Sequence, residues 1–163
     1  MTITIITTGG TIDKIYFDDL SEFQVGDPQI GTVLKEANVS TPYRIFPLMR
    51  KDSLDLTDED RGRIRDAVIA EPNRRIVITH GTDTMVETAK VLRNISGKVV
   101  VLTGAMQPAR FRMTDAIFNI ASAITAVQLL DPGVYIAMNG CIFDADKVRK
   151  NRRKNRFEPI EAS

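Results

Sequence analysis

Short, almost wholly apolar runs alternate along this chain with longer amphipathic segments. The apolar runs cover Thr2 to Thr7, Tyr43 to Leu48, Arg75 to Thr79, Lys98 to Thr103 and Gly133 to Met138. They are rich in Val and Ile and end at turn residues, and several lack the polar alternation of a strand with one wet face. Such runs are typical of buried parallel strands. The pattern therefore predicts strands of a parallel sheet.

Helical segments lie between these runs. Thr57 precedes an acidic turn and then Ile64 and Val68 on one face, which is the pattern of a capped amphipathic helix. Thr84 and Glu87 have the spacing of a capping box at the start of another helix. Each of these helices is predicted to follow one strand and precede the next.

A longer, mostly apolar helix is predicted from Thr114 to Leu130, where an Asp-Pro-Gly sequence ends it. Strands that alternate with helices favour a three-layer, Rossmann-like α/β fold, in which helices cover both faces of a mostly parallel sheet. No repeat or linker divides the sequence, so we expect residues 1–163 to form a single domain. In such a fold the ligand site lies outside the carboxyl ends of the strands.

Composition narrows the chemistry that this fold can carry. With one cysteine, Cys141, and one histidine, His80, the sequence predicts no internal disulfide and no Cys/His zinc cluster. We expect neither a metal site nor a cofactor. It shows no basic leader and no apolar run near the ~18 residues of a membrane span, so we expect a cytoplasmic protein without a membrane partner. The net charge is +1, but the segment from Lys147 to Arg156, here called the basic block, holds seven basic and no acidic residues. The remainder of the chain therefore carries a net charge of −6.

Three polar segments that contain glycine follow predicted strands and should meet at one edge of the sheet. They read TTGGTI (Thr7 to Ile12), HGTDT (His80 to Thr84) and TGAMQPAR (Thr103 to Arg110). None is a dinucleotide or P-loop motif, and the G-x-S-x-G pattern of serine hydrolases is absent. The single histidine is expected to be a scaffold residue. Threonine remains as the candidate nucleophile, which needs a proton relay and N–H donors for an oxyanion.

Two of these segments together resemble a known family. TTGGTI followed by HGTDTM resembles the paired threonine signatures of bacterial-type L-asparaginases, the asparaginase/glutaminase family. The resemblance extends to LTGAMQPAR (Leu102 to Arg110), DSLDLTDED (Asp52 to Asp60) and DADKVRKN (Asp144 to Asn151). It covers nearly the whole chain but only the N-terminal domain of the usual enzyme, so the C-terminal domain of longer members is expected to be absent.

The resemblance implies that the chain hydrolyses L-asparagine to L-aspartate and ammonia through a threonine acyl-enzyme. By position Thr11 is then the nucleophile, Thr82 bridges to Lys150, and Asp83 holds the α-ammonium of the substrate and fixes the relay. Without the resemblance, Thr82 reads as a helix cap and Lys150 as part of a solvated basic face.

Further residues acquire substrate-binding roles from the same resemblance. Ser53 is implied to bind the other end of the amino acid, although alone it also reads as a helix cap. Residues Gly10, Gly81 and Ala105 are implied to line the amide end. Leu54 stands where many members have a polar substrate-binding residue.

One departure concerns the mobile loop after the first signature. Longer members carry a tyrosine there that helps to activate the nucleophile, and this position is Phe23 in the present sequence. Tyr16, five residues beyond Thr11, is a candidate replacement, and packing of the loop is its alternative role. Phenylalanine has no hydroxyl, so the role of Tyr16 is left open between activation of the nucleophile and packing of the loop.

Two other functions stay open at this point. An asparaginase-like domain also serves as the ammonia-producing subunit of a transfer-RNA-dependent amidotransferase, although no nucleic-acid motif accompanies the basic block and we expect no nucleic-acid partner. A non-catalytic amino-acid-binding module is the second alternative. The apolar helix from Thr114 shows hydrophobic side chains on more than one face, which predicts a homodimer or a dimer of dimers.

Overall fold

The computed structural model describes residues 1–17 and 22–160 of the chain. Its strands are β1 (Ile3–Gly9), β2 (Lys14–Phe17), β3 (Glu22–Val25), β4 (Tyr43–Lys51), β5 (Arg75–Thr79), β6 (Val99–Thr103), β7 (Gly133–Met138), β8 (Cys141–Asp144), β9 (Val148–Asn151) and β10 (Arg156–Pro159). Its helices are α1 (Ile30–Glu36), α2 (Asp58–Ala70), α3 (Met85–Leu92) and α4 (Ala116–Leu129).

A six-stranded sheet in the order β4-β1-β5-β6-β7-β8 forms the centre of the molecule. The strands from β4 to β7 in this order pair in parallel, and β8 pairs antiparallel to β7. The predicted α/β class with a mostly parallel sheet is therefore confirmed. Since β4 and β5 lie on opposite sides of β1, the strand order reverses at β1, and a crevice is expected outside its carboxyl end.

Helices cover both faces of this sheet, and two separate apolar clusters join them to it. Ile5 packs in the cluster with α1 and α4, whereas its neighbour Ile6 packs in the cluster with α2 and α3. Successive side chains of a strand point to opposite faces, so a strand covered on both faces is mostly apolar, and the buried polar side chains of β1 are all threonines. This is the physical reason for the almost wholly apolar runs in the sequence.

The ends of the helices test the predicted caps. Thr57 caps α2 in a full capping box, because its side chain accepts from the backbone N–H of Asp60 and the Asp60 carboxylate accepts in return. The capping box predicted for Thr84 and Glu87 is wrong. The Thr84 hydroxyl instead donates to the backbone carbonyl of Ser53 at 2.8 Å and makes no capping bond.

Helix α4 begins at Ala116, two residues after the predicted start. Thr114 accepts a hydrogen bond from the Ala116 N–H at 3.0 Å, and the Asp115 carboxylate binds backbone N–H groups of the preceding loop. The sequence pattern also missed α1, β8, and the two hairpins β2–β3 and β9–β10. No helix within residues 1–17 and 22–160 is long and apolar enough to cross a membrane.

Candidate active site

The loops after β1 and β5 touch at a pair of glycines. Gly10 has a positive φ of 92°, and a Cβ atom built on it would lie 2.5 Å from the Cα of Gly81. No larger side chain fits at that contact, so both positions require glycine. Thr11 and Thr82 are the residues that follow. The candidate nucleophile and the candidate relay residue therefore lie on two loops in direct contact.

Ser53 reaches the same place from a short 3-10 helix after β4. It is almost wholly buried, and a Cβ on Gly81 would lie 2.6 Å from its Oγ. Within the described part of the chain its Oγ has no hydrogen-bond partner, although the Thr84 hydroxyl fixes its backbone carbonyl. A buried hydroxyl without a partner costs about 1–3 kcal/mol, which a ligand can recover. The Ser53 hydroxyl is not a helix cap and is available to a polar ligand.

A lysine from the hairpin β9–β10 completes this group of side chains. Lys150 Nζ donates to Thr82 Oγ1 at 2.8 Å and to Asp83 Oδ1 at 2.9 Å. Its side chain is 12% exposed, so it does not belong to a solvated basic face. Asp83 Oδ1 also accepts from Arg152 Nη1 at 2.7 Å. The fold thus joins Thr82, Asp83 and a lysine that is far away in the sequence.

His80 has a structural role in the loop after β5. It is fully buried, its Nδ1 lies 2.7 Å from the Gly81 carbonyl oxygen, and its Nε2 lies 2.8 Å from the Thr88 hydroxyl. A carbonyl only accepts, so Nδ1 carries the proton and Nε2 accepts from Thr88. Burial lowers the pKa of His80 to about 4, so the ring is neutral at pH 7. This agrees with the scaffold role expected from the sequence.

Ala105 lies buried in the loop after β6, beside the loop that begins at His80. Two residues that the sequence pattern did not single out hold this loop. Asp115 accepts from the N–H groups of Met106 and Gln107 at 2.9 and 3.0 Å, and Asn119 Nδ2 donates to the Gly104 carbonyl oxygen at 2.9 Å. The sequence signal for Asp115 and Asn119 is that they are polar residues at the start of an otherwise apolar helix.

Tyr16 and Phe23 are cross-strand neighbours on the hairpin β2–β3. Their ring centroids are 5.4 Å apart, and Phe23 also packs on Phe111 at 5.9 Å. Tyr16 is 50% exposed. Its ring therefore packs within the hairpin, and a part for its hydroxyl in the chemistry stays a prediction. Leu54, by contrast, is largely exposed and leaves no polar group at its position.

A buried carboxyl lies two residues beyond Thr11. Asp13 is 2% exposed, and its Oδ1 accepts from the backbone N–H of Gln29 at 2.9 Å. Its own carbonyl oxygen accepts from the N–H of Gly26 at 2.8 Å, so the residue ties both ends of the β2–β3 hairpin together. Burial raises the pKa of Asp13 to about 7, against the opposing effects of the Gln29 N–H and of Arg50.

The raised pKa of Asp13 gives an expected pH dependence of stability. The unfolded chain loses this proton near pH 4 and the folded chain only near pH 7, so the free energy of unfolding falls as the pH rises through that interval. An asparagine side chain at this position cannot ionise and keeps the acceptor for Gln29. We expect Asp13→Asn to raise the free energy of unfolding at pH 8 by about 2–4 kcal/mol, at about 1.4 kcal/mol per pKa unit.

Urea denaturation of both proteins at pH 5 and pH 8 measures this effect. The gain of Asp13→Asn should be less than half as large at pH 5, because the carboxyl is then still protonated in the fold and only the interval from about pH 4 to pH 5 contributes. Equal gains at the two pH values would contradict the assignment of the titration to Asp13.

A mostly parallel sheet with a strand reversal and a threonine–lysine–aspartate group at its carboxyl edge defines the chain as an α/β protein with a polar candidate site. The family model described as Asparaginase, N-terminal, matches residues 2–161, and the chain belongs to this family. Within the described residues, no group of His, Cys, Asp or Glu side chains is arranged to hold a metal ion.

Two relatives are similar to this chain over more than nine-tenths of its length. It is 37% identical over 162 residues to the glutaminase-asparaginase of Acinetobacter glutaminasificans, covering 91% of this chain and 49% of the relative. The solved structure of the thermostable L-asparaginase from Thermococcus kodakarensis superimposes with a TM-score of 0.85 at 29% identity, covering 98% of this chain and 51% of the other. The chain thus spans about half the length of these two relatives.

A shorter match connects the chain to a different kind of protein. Over 96 residues it is 38% identical to a glutamyl-tRNA(Gln) amidotransferase subunit of Methanococcus vannielii. This match covers 52% of the chain and 22% of that relative.

Proposed function

We propose that this chain is an amidohydrolase that converts L-asparagine to L-aspartate and ammonia. The observation that carries the proposal is the lysine that bridges Thr82 and Asp83 beside the contact between Gly10 and Gly81. A mostly buried lysine on a threonine hydroxyl suits a proton relay. The similarity to an L-asparaginase and a glutaminase-asparaginase supports the same reaction class.

In the proposed reaction the Thr11 hydroxyl attacks the side-chain amide carbonyl of asparagine. Its proton passes by way of Thr82 and Lys150 to the leaving nitrogen, and the C–N bond breaks to release ammonia and leave an ester on Thr11. Water then attacks the ester, which releases aspartate and returns the proton to the Thr11 oxygen. Backbone N–H groups near Gly10 and Gly81 are the proposed donors to the oxyanion.

Each charged end of the amino acid has a proposed partner, a carboxylate for the α-ammonium and a hydroxyl donor for the α-carboxylate. Asp83 keeps its second carboxylate oxygen for the α-ammonium, since the hydrogen bonds from Lys150 and Arg152 both fall on Oδ1. The Ser53 hydroxyl, which has no partner among the described residues, is the proposed donor for the α-carboxylate. These two residues fix the distance from the α-carbon to Thr11, which favours asparagine over glutamine.

Ammonia release from L-asparagine and L-glutamine tests this function. We expect asparagine to be turned over about a hundredfold more efficiently, because the extra methylene of glutamine displaces the carbonyl by about 1 Å. Succinamide and acetamide are suitable controls, since neither carries both α-substituents. The absence of ammonia release from either amino acid would overturn the proposal and favour an amino-acid-binding module.

The similarity to an amidotransferase subunit keeps a second candidate function, an ammonia-producing subunit. In that case ammonia release would depend on the partner subunit and its RNA. The basic block offers limited support, because Arg149 pairs with Glu158 at 2.9 Å, and Lys150 and Arg152 pair with Asp83. Asparagine turnover by the isolated chain would exclude this dependence. A cytoplasmic location stays a prediction.

We also propose that the chain forms a dimer through α4 and β8. These elements line a groove of about 540 Å³ with Phe118, Ala126, Leu130 and Ile142 among its walls, and β8 is at the edge of the sheet. Exposed fractions of 62% for Phe118 and 80% for Leu129 are large for apolar side chains on one helix. A second copy would present the same apolar face and could cover it symmetrically.

We expect Leu129→Asp to convert the dimer to a monomer in sedimentation velocity, since a carboxylate at the centre of an apolar contact is not solvated. Ile69→Asp is the matched control, because Ile69 is an exposed isoleucine on α2, away from this face. A wild-type protein that sediments as a monomer at high concentration would contradict the proposal.

A further inference from the structure

One carboxylate oxygen in the candidate site accepts from two cations. Asp83 Oδ1 lies 2.9 Å from Lys150 Nζ and 2.7 Å from Arg152 Nη1. Arg152 Nη2 also approaches the backbone carbonyl oxygen of Asp83 at 3.5 Å. Asp83 therefore carries more positive charge around it than it can neutralise.

The two cations are held very differently. Lys150 is mostly buried and also donates to Thr82, so its position is fixed by two partners. Arg152 stands in the turn between β9 and β10, and its side chain is 65% exposed. Ion pairs of exposed side chains are weak and exchange easily with water or other ions. Arg152 is thus the partner of Asp83 that a ligand can displace.

An α-ammonium group that approaches Asp83 competes with Arg152. It must either displace the guanidinium or add a third cation to the same carboxylate, and both cost binding energy. A ligand of the same length that has carboxylates but no ammonium avoids this competition. It can leave Arg152 on Asp83 and also gain attraction to the guanidinium.

We propose that Arg152 is a specificity-determining residue. It lowers the preference of this site for α-amino acids over ligands that lack the amino group, namely dicarboxylates and their monoamides. This inference rests on the proposed function, in which Asp83 faces the α-ammonium of the substrate. It adds that the turn of the β9–β10 hairpin reaches over the ammonium position and sets the ligand class.

Calorimetric titration of the full chain with L-aspartate and with succinate tests the inference, since the two ligands differ only by the amino group. We expect Arg152→Gln to raise the ratio of the succinate Kd to the aspartate Kd by about fivefold, the size of one partly exposed charge pair. Arg152→Lys, which keeps the charge, should give a smaller change. Arg153→Gln is the matched control, because Arg153 is the exposed neighbour in the same turn and its substitution removes the same charge.

An unchanged ratio in Arg152→Gln, or the same change in Arg153→Gln, would overturn the inference, as would failure of both ligands to bind. General electrostatics of the basic block would move both arginine variants alike. The proposed function fails separately: if the Kd ratio shifts as expected but L-asparagine is not hydrolysed, the site binds ligands in this way without acting as an amidase. If the enzyme is active, the ratio of its initial rates with L-asparagine and with succinamate should change in Arg152→Gln in the same direction as the binding preference.

Discussion

Thr11→Ala is expected to reduce asparagine turnover by at least about a thousandfold. The variant removes the only atom that can form the acyl-enzyme in the proposed reaction, and losses of this size or larger are usual when a covalent nucleophile is deleted. Thr11 is half-buried at the start of a short 3-10 helix, and the contact between Gly10 and Gly81 that shapes the loop does not involve its side chain. The thermal unfolding midpoint should therefore change little.

Two further variants sharpen this test. Thr11→Ser keeps a hydroxyl at the same position and should retain measurable turnover. Thr2→Ala removes an exposed threonine that directly precedes β1, at the amino edge of the sheet, and should leave turnover unchanged. Ammonia release under saturating asparagine measures all three. Half of the wild-type rate in Thr11→Ala would show that another residue is the nucleophile.

Lys150→Met should lower kcat by about a hundred- to ten-thousandfold, which is the usual contribution of a positioned acid–base group. Methionine fills a similar volume but cannot bind the Thr82 hydroxyl or move its proton. The loss of stability should be small, because Asp83 keeps Arg152 as a partner at 2.7 Å and is not left as an unpaired charge. Stopped assays for kcat and a urea melt separate the two effects.

Lys154→Met is the matched control for Lys150→Met. Lys154 lies exposed in the adjacent turn and takes part in the described hydrogen bonds only through its backbone N–H, which donates to Asn151. Its substitution removes one positive charge from the same basic block, so a general effect of charge would appear in both variants. A Lys150→Met enzyme with most of the wild-type rate would remove the relay from the mechanism and leave Tyr16 as the candidate base.

The regular elements with strong local patterns were predictable. The buried strands are mostly apolar because both faces are covered, and Thr57 caps α2 through a residue only three positions away. The elements that were missed are short and carry weaker patterns. The hairpin β9–β10, for example, reads as a solvated basic block, because its partner Asp83 lies more than sixty residues earlier in the sequence.

The chemistry of the site divides in the same way. Each threonine signature is a continuous stretch of sequence, so the resemblance to the family assigned Thr11, Thr82 and Asp83, and the segment from Asp144 to Asn151 added Lys150. The Thr84 hydroxyl was assigned to a helix cap, whereas the fold directs it to the Ser53 carbonyl, more than thirty residues earlier. Long-range contacts of this kind depend on which strands become neighbours, and the sequence of a short polar segment does not show which strands these will be.

By itself, the sequence determined the α/β class, the strands that form the parallel part of the sheet, and the loops at which a site would form, because these follow from local periodicity and glycine turns. Only the tertiary structure decided that Lys150 is mostly buried and not part of a solvated face, that Arg152 shares an oxygen of Asp83, and that Asp13 is a buried carboxyl with a raised pKa. The physical reason is that burial and pairing of charges are properties of segments brought together by the sheet order, and they have no local signature along the chain.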